Sequence, residues 1–334
     1  MEGDFDKMPR KKAMRGRTPR VSIGLGVYNG EKFLVETLDS ILNQTFDDFE
    51  LVISDNASSD STEGICRSYA ARDPRIRYTR NAANIGLTNN FNRVLDLATG
   101  QYFRWASADD LFALRSLEAC VKVLDEHPEV VLCYPRTVLI DGDGKFIRNY
   151  DDNMNLRSPV VTTRFQHVIE NLRLVNIQYG LIRSDVLRRT SLFGAYVGSD
   201  MTLIAEIALY GQFWEIPEVL FSRRMHDGAT LGLKNKPLGV QEEYWNGTTN
   251  RGLDLYYGIH RCHNLKSILR APVSFSEKLR LACCIGKYVF RSRDVHGKEL
   301  LHAGGQLLRR LRRTSRSSHR EAAEVPSGRS PGGT

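Results

Sequence analysis

Two adjacent acids, Asp109 and Asp110, are the residues of this sequence whose types and spacing most directly suggest chemistry. Neighbouring carboxylates repel one another, so a loop holds them close at low cost only when a cation offsets that repulsion. Hard divalent cations take oxygen ligands, and they commonly bind through one or two carboxylates together with substrate phosphates. The pair therefore predicts a Mg²⁺ or Mn²⁺ ion, which would neutralise the charge that develops on a leaving diphosphate.

The acidic pair lies within a regular alternation of predicted strands and helices. Apolar strands are predicted at 21–27, 49–53, 76–78 and 101–105, and the segments between them carry helix signals. An alternation of this kind implies parallel strands that are joined by right-handed crossovers. We therefore expect an α/β fold with a mostly parallel, Rossmann-like sheet flanked by helices.

Polar residues directly follow several of the predicted strands. Asn29 comes after the first strand, Asp55 after the second, and the pair Asp109-Asp110 after the fourth. Ligands of such sheets bind at the carboxyl ends of the strands, so polar residues that are far apart in sequence meet at one edge. The sequence thus predicts a single crevice that these residues share.

Beyond residue 130 the pattern is more mixed. We expect a hairpin that turns at 141–144, a strand near Asn176 to Ile182, a helix that begins at Asp200 and a strand from Val219 to Met225. From about Gln241 to Arg313 the chain is predicted to be helical.

The composition is that of a globular protein rather than of a disordered or fibrous one. The 334 residues are 41% hydrophobic and 26% charged, and no stretch reaches the roughly 20 uninterrupted apolar residues that span a bilayer. The N-terminus is charged where a signal peptide would be apolar, which favours a cytoplasmic location. The six cysteines show no metal-ligand spacing and are expected to be reduced thiols.

Basic residues are concentrated at both ends of the chain, which has a net charge of +8. No acid occurs between Asp6 and Glu31 or between Glu299 and Glu321, whereas arginines accumulate in both stretches. Two interpretations remain open, namely solvated tails or peripheral contact with an anionic membrane, where leucines such as Leu300 would contribute. Nucleic acid is not expected as a partner, because no aromatic or recognition-helix pattern accompanies the charge.

Four blocks stand in a fixed order along the chain: VSIGLGVYNG, LVISDNASSDST, RNAANIGLTNNFN and ATGQYFRWASADD. In order and spacing they resemble the family-2 glycosyltransferases of the GT-A fold, over residues of about 20 to 226. The resemblance implies an inverting, metal-dependent enzyme that moves a single sugar from a nucleotide-diphosphate sugar to the hydroxyl of a saccharide or lipid-linked acceptor. It also implies a role in polysaccharide or glycolipid assembly.

The same resemblance implies roles for particular residues. The nucleotide is expected to contact residues of the first two blocks and of the acidic pair, namely Tyr28, Asn29, Asp55, Asn56 and Asp109. Asp109 would lie near both the ribose and the metal, and Asp110 would be the direct metal ligand. Ser107 stands where many members of the family have a further Asp.

A catalytic base is implied at the start of a later helix, where Gly-Ser-Asp at 198–200 matches the family's position. An acceptor hydroxyl loses its proton as it attacks, so a positioned carboxylate is the expected general base, and we assign it to Asp200. The alternative for Asp200 is a helix N-cap. His226 is expected to complete the metal or diphosphate site, or else to be structural. Arg223 and Arg224 could help to hold diphosphate.

Two other classes of protein remain open. Gly24, Gly26 and Gly30 give a glycine spacing that resembles a dinucleotide-binding turn, which would indicate an NAD-dependent oxidoreductase. That interpretation leaves the acidic pair and Asp200 without roles. The second alternative is a domain of the same fold that binds nucleotide sugar as a scaffold and does not transfer it.

One motif is interpreted as a coincidence. Gln101 to Trp105 reads QYFRW, which matches the QxxRW signature of processive polysaccharide synthases. In those enzymes the signature follows the catalytic base and accompanies membrane spans, whereas here it precedes the acidic pair. We therefore expect transfer of one sugar rather than processive synthesis.

The sequence predicts four segments: a basic disordered tail over 1–19, a GT-A domain over 20–230, a helical C-terminal extension over 231–313 and a disordered tail over 314–334. Within the GT-A domain we expect a nucleotide half at about 20–110 and an acceptor half at about 111–230.

Overall fold

A mixed nine-stranded sheet lies at the centre of the described chain. The computed structural model describes residues 17–226, 240–241, 245 and 255–307. The strands are β1 (Val21–Val27), β2 (Phe49–Asp55), β3 (Ile76–Arg80), β4 (Tyr102–Ala106), β5 (Leu111–Phe112), β6 (Val130–Ile140), β7 (Phe146–Tyr150), β8 (Leu181–Arg183) and β9 (Gln212–Arg224).

Helices cover the sheet and extend beyond it. Those in the described ranges are α1 (Leu34–Leu42), α2 (Thr62–Arg72), α3 (Leu87–Leu97), α4 (Ser116–Glu126), α5 (Val161–Asn171), α6 (Ser184–Leu187), α7 (Ser199–Ile207), α8 (Tyr256–Arg270) and α9 (Phe275–Arg291). A 3₁₀ turn covers Asn176–Tyr179, and residues 293–307 are helical. None of the described helices combines the length with the apolar character that crossing a bilayer requires.

The sheet has the strand order β3-β2-β1-β4-β8-β6-β9-β5, and β7 pairs with β6. Strands β3, β2, β1 and β4 are mutually parallel, as the strand–helix alternation predicts. Strand β8 runs antiparallel to both β4 and β6, whereas β6 and β9 are parallel to each other. The expected α/β class, with a mostly parallel sheet flanked by helices, is therefore confirmed.

Strands β1 and β2 are buried along their whole length, which is typical of a sheet covered on both faces. Two glycines in β1 make room for aromatic rings. A Cβ at Gly24 would lie 2.6 Å from the ring of Phe103, and a Cβ at Gly26 would lie 2.8 Å from the ring of Phe91. These glycines serve packing within a strand, which removes the basis for a dinucleotide-binding turn.

The strand expected near Asn176 to Ile182 is only partly present. The structure has the 3₁₀ turn over its first half and the short β8 over its second half. Gly180 stands between the two, and a Cβ there would lie 2.7 Å from the carbonyl oxygen of Cys133. The backbone thus approaches β6 closely at this point, which the apolar pattern alone does not predict.

The helical region expected from about Gln241 to Arg313 consists of separate helices where the structure describes it. Helix α8 ends at Arg270, two residues before Pro272. A proline cannot continue a helix, because it lacks the backbone N–H group and its ring clashes with the preceding turn. Helix α9 then begins with a capping box in which Ser274 and Glu277 bond reciprocally to each other's backbone. The remaining predictions for 1–16, 227–239, 242–244, 246–254 and 308–334 lie outside the described residues.

The QYFRW segment belongs to the core. Arg104 is 1% exposed, and its guanidinium donates to Ser116 Oγ at 3.0 Å and to Cys120 Sγ at 3.1 Å. The indole nitrogen of Trp105 donates to the carbonyl oxygen of Phe91 at 3.0 Å. These side chains hold β4 against helices α3 and α4, so the segment has a structural explanation.

Candidate active site

A cleft of about 630 Å³ opens at the carboxyl ends of β1 and β4, beside the end of β9. Six of the predicted site residues line it: Tyr28, Asn29, Asn56, Asp109, Asp200 and His226. They come from five separate parts of the chain, and the fold brings them to one side of the sheet. Asp55 and Asp110 are not among the lining residues.

Asp109 faces the cleft and is held by two polar neighbours. Its Oδ2 lies 2.9 Å from Nε2 of His226, and the hydroxyl of Ser107 donates to its Oδ1. Burial alone would raise the pKa of Asp109, but the hydrogen bonds from His226 and Ser107 outweigh it and hold the pKa below its usual value. The carboxylate is therefore kept charged at the cleft wall.

Asp110, the residue expected to be the direct metal ligand, turns inward and does not line the cleft. It is 3% exposed, and its Oδ1 accepts a hydrogen bond from the backbone nitrogen of Arg224 at 2.8 Å. Burial, together with the charge of Asp109, raises the pKa of Asp110 well above its usual value. In this position the side chain joins the loop after β4 to strand β9.

Asp55, which was expected to contact the nucleotide, is also buried and does not line the cleft. Its carboxylate accepts hydrogen bonds from the backbone nitrogen of Ser58 at 2.8 Å and from the Tyr78 hydroxyl at 2.9 Å, and it forms an ion pair with Arg80. Burial opposes ionisation, yet these bonds lower the pKa of Asp55 below its usual value. Asp55 therefore organises the loop beneath the cleft.

Asn56 reaches the cleft, but its carboxamide is used within the protein. Its Nδ2 donates to Asn84 Oδ1 at 2.7 Å, and its Oδ1 accepts from the backbone nitrogen of Ile85 at 2.9 Å and from Asn81 at 3.0 Å. These bonds fix the segment that leads into α3. Asn56 therefore lines the cleft while its carboxamide is engaged within the protein.

The turn after β1 presents Tyr28 to the cleft. Asn29 adopts a positive φ of 49°, and its Oδ1 accepts a hydrogen bond from the backbone nitrogen of Ser59 at 2.8 Å. Asn29 thereby ties two loops together at the rim. Tyr28 is 48% exposed at this rim, so its ring is available to stack on a planar ligand group.

Asp200 lies in the first turn of α7 and faces the cleft. The N-cap of this helix is Gly198, so the alternative role of Asp200 as the N-cap does not apply. Its Oδ1 accepts a hydrogen bond from the backbone nitrogen of Met201 at 2.9 Å. A carboxylate at a helix N-terminus is stabilised by the helix dipole.

The two arginines of β9 have different surroundings. Arg223 lines the cleft and donates to Asn176 Oδ1 at 2.6 Å. The side chain of Arg224 is 1% exposed, pairs with Glu36 at 2.6 Å and donates to the carbonyl oxygen of Asp109 at 2.9 Å. Arg223 is therefore the arginine available to a ligand, while Arg224 braces the loop that carries Asp109.

Lys32 and Gln178 are among the lining residues that the sequence did not indicate. Lys32 lies in the turn between β1 and α1, where its position after a strand end could have indicated it. Gln178 lies in the 3₁₀ turn, and its Oε1 is buried without a hydrogen-bond partner. No strand-end signal points to Gln178, because the chain reverses direction through β8.

Asp109 and His226 could hold a divalent ion at the cleft. Among the described residues no group of three His, Cys, Asp or Glu side chains forms a complete metal cage. Mg²⁺ and Mn²⁺ do not need one, because they commonly bind through one or two protein groups and take substrate phosphates and water as the other ligands. The donor set fits an ion that binds together with a diphosphate.

The chain belongs to glycosyl transferase family 2. The family model matches residues 22–189, which is half of the 334-residue chain. The matched segment includes Tyr28, Asp55 and the acidic pair, whereas Asp200 and His226 lie beyond it.

Two curated relatives illustrate the extent of the similarity. The chain is 40% identical over 110 residues to the putative glycosyltransferase EpsE of Bacillus subtilis, a match that covers 33% of this chain and 40% of EpsE. It is 25% identical over 240 residues to the chondroitin synthase of Escherichia coli, which covers 71% of this chain and 33% of that protein. The chain thus spans less than half the length of either relative.

The fold is similar to that of S. aureus TarS. The crystal structure of TarS residues 1–349 matches with a TM-score of 0.57 and 17% identity, over 81% of this chain and 72% of TarS 1–349. The same protein has been solved in complex with UDP-GlcNAc. At this identity the similarity concerns the fold, and the expected GT-A type is confirmed.

Proposed function

We propose that this protein is an inverting glycosyltransferase that moves a single sugar from a nucleotide-diphosphate sugar to an acceptor hydroxyl. The observation that carries the proposal is that Asp109, His226 and Asp200 face one cleft in a chain of glycosyl transferase family 2. The fold shared with TarS, which has been solved with UDP-GlcNAc, supports a nucleotide sugar as the donor.

In this proposal the donor lies across the ends of β1 and β4. The ring of Tyr28 stacks on the nucleobase, and the loops that Asn29 ties together hold the ribose. Arg223 and Lys32 supply positive charge for the diphosphate. A Mg²⁺ or Mn²⁺ ion held by Asp109 and His226 would neutralise charge on the leaving diphosphate.

Asp200 is the proposed general base. The acceptor oxygen forms a bond to the anomeric carbon while the bond from that carbon to the diphosphate oxygen breaks. The hydroxyl proton passes to the Asp200 carboxylate, and the nucleoside diphosphate leaves with the electron pair. One displacement of this kind inverts the anomeric configuration.

The proposed acceptor is a saccharide or a lipid-linked saccharide, as in polysaccharide or glycolipid assembly. The similarity to the chondroitin synthase supports the saccharide class. Peripheral contact with an anionic membrane is part of the proposal, because Leu300 and Leu301 are 65% and 79% exposed next to an arginine-rich stretch.

A donor screen tests this function. The full chain is incubated with UDP-, GDP- and dTDP-sugars and with a set of saccharide acceptors, with Mn²⁺ or with a chelator. We expect acceptor-dependent release of one class of nucleotide, and we expect the chelator to suppress it. Tight donor binding without turnover on any acceptor would instead favour the nucleotide-sugar-binding scaffold.

A further inference from the structure

The turn that precedes Asp200 has a left-handed backbone and is covered by helix α8. Gly198, in this turn, has a φ of 78°. A Cβ at this position would lie 2.8 Å from the Tyr256 hydroxyl and 3.0 Å from the imidazole of His260. Glycine is therefore required here both by the backbone conformation and by the close approach of α8.

His260 bonds to both sides of the turn. Its ring is buried, with Nε2 at 3.0 Å from the carbonyl oxygen of Val197 and Nδ1 at 3.0 Å from the hydroxyl of Thr202. A carbonyl oxygen only accepts, so Nε2 carries the hydrogen and Nδ1 accepts from the hydroxyl. Burial lowers the pKa of His260 to about 4, which keeps the ring in this neutral form. One side chain thus links the residues that flank Asp200.

Tyr256 lies on the same side of the turn. Its hydroxyl is 3.8 Å from Sδ of Met201, the residue after Asp200. Burial, and then the charge of Asp200, raise the pKa of Tyr256 to about 12. The Tyr256 phenol therefore interacts electrostatically with the Asp200 carboxylate, which faces the cleft.

Helix α8 is itself held firmly in place. Arg270 near its end pairs with the fully buried Glu206 of α7 at 2.7 Å. At its start the carboxylate of Glu299 accepts hydrogen bonds from the backbone nitrogens of Tyr257 at 2.6 Å and Gly258 at 3.0 Å. The contacts to the turn are thus made from a helix that is anchored at both ends.

We propose that His260 and Tyr256 are positioning residues for the proposed base, because they hold the left-handed turn that precedes it. This inference rests on the proposed function and extends it to the C-terminal helices, which lie outside the segment matched by the family model. Helix α8 of the C-terminal extension then contributes to the active site, because it positions Asp200.

The chemical reason is the sensitivity of proton transfer to distance. A general base acts only within hydrogen-bond reach of the hydroxyl that it deprotonates. A displacement of about 1 Å can cost on the order of a hundredfold in rate. The donor contacts proposed for Tyr28, Arg223 and Asp109 come from other elements, so loss of the α8 contacts should lower kcat without weakening donor binding.

The test compares His260→Ala, His260→Gln and Tyr256→Phe in the full chain, with kcat and donor KM measured separately. Leu269→Ala is the matched control, because Leu269 lies on the same helix and is 70% exposed. We expect His260→Ala to lower kcat by roughly tenfold to a hundredfold at unchanged donor KM. His260→Gln should recover much of the loss, since a carboxamide has an NH₂ group that can donate and a carbonyl oxygen that can accept. The control should match the wild type.

A double variant separates positioning from general stability. If His260 acts through Asp200, adding His260→Ala to Asp200→Asn should not slow the enzyme further, because the base is already gone. An additive loss, or a wild-type kcat in His260→Ala, would overturn the inference. Should His260→Ala fail to fold, Tyr256→Phe is judged by the same two measurements.

The same set of variants shows which proposal has failed. A fully active Asp200→Asn enzyme rejects the base assignment and the inference that depends on it, whereas a wild-type chain that releases no nucleotide with any donor and acceptor rejects the proposed function itself. A slow Asp200→Asn enzyme beside an unaffected His260→Ala enzyme leaves the proposed function standing and rejects the inference alone.

Discussion

Nε2 of His226 lies 2.9 Å from Oδ2 of Asp109, and this contact joins the end of β9 to the loop that follows β4. The adjacent Asp110 contacts the same end of β9, where its Oδ1 accepts a hydrogen bond from the backbone nitrogen of Arg224. Of the two acids, Asp109 faces the cleft, and Asp110 holds the loop that follows β4 against β9.

The first prediction concerns the metal. Asp109→Asn should lower kcat/KM by roughly a hundredfold or more and abolish the response to Mn²⁺, because a bound cation contributes several kcal/mol to the transition state. Initial rates over a Mn²⁺ titration measure this. His226→Ala should shift the titration to higher Mn²⁺ concentration, since one of two protein ligands is lost.

Asp110→Ala is the matched control in the same loop. It should lower the free energy of unfolding by about 1–3 kcal/mol, because the buried nitrogen of Arg224 loses its acceptor. The Mn²⁺ response of the folded variant should persist, and urea unfolding checks the stability. If the folded Asp110→Ala enzyme no longer responds to Mn²⁺, Asp110 is a metal ligand and the structural role assigned to it is wrong.

The second prediction concerns the base. Asp200→Asn should cost at least about a hundredfold in kcat, the lower range for loss of general acid–base catalysis. The carboxamide has nearly the same shape and can still accept from the backbone nitrogen of Met201, so the fold and the donor Kd should be unchanged. Steady-state rates and isothermal titration with donor measure the two quantities. A wild-type kcat would reject the assignment.

The third prediction concerns the nucleobase. Tyr28→Ala should weaken donor binding by about 1–3 kcal/mol, the range for loss of stacking between an aromatic side chain and a base. Tyr28→Phe should bind as the wild type does, because it keeps the ring. The control is Leu114→Ala, which removes an exposed side chain that does not line the cleft. Equal donor affinity in Tyr28→Ala and the wild type would contradict the stacking role.

The sequence correctly predicted which strand ends meet at the cleft. It was less successful in predicting which side chains at those strand ends face the cleft. Strand ends at Asn29 and Asp109 meet as the parallel alternation requires. The orientation of Asp55 and Asp110 depends on partners that are distant in sequence, namely Arg80 on a neighbouring strand and the backbone of Arg224 on β9. Strand-end position alone therefore does not separate a ligand-facing acid from a buried brace.

The contacts that the C-terminal helices make with the rest of the protein could not be predicted from the sequence either. The helical pattern after residue 255 predicts helices, but it does not say which surface they cover. His260 touches Val197 and Thr202 across some sixty positions of sequence, and the left-handed Gly198 that permits this contact looks like any other loop glycine. Such contacts follow from tertiary packing, which local spacing does not encode.

The last prediction concerns stability and pH. Asp152 is 6% exposed, and burial raises its pKa to about 7, although the hydrogen bond from the Thr137 hydroxyl acts against the rise. In the unfolded chain an Asp has a pKa of about 3.9. Between about pH 4 and pH 7 the folded state therefore keeps a proton that the unfolded state releases, so the contribution of Asp152 to stability falls as pH rises through this window.

Asp152→Asn removes this dependence, because a carboxamide stays neutral at every pH. The free energy of unfolding of the variant relative to the wild type should rise by about 1.4 kcal/mol per pH unit up to about pH 7 and then level off. Urea unfolding from about pH 5 to about pH 8 measures the difference, with the exposed neighbour variant Asp151→Asn as control. A difference that stays constant across this range would show that Asp152 is already ionised in the folded protein, with its buried charge stabilised by the Thr137 hydroxyl.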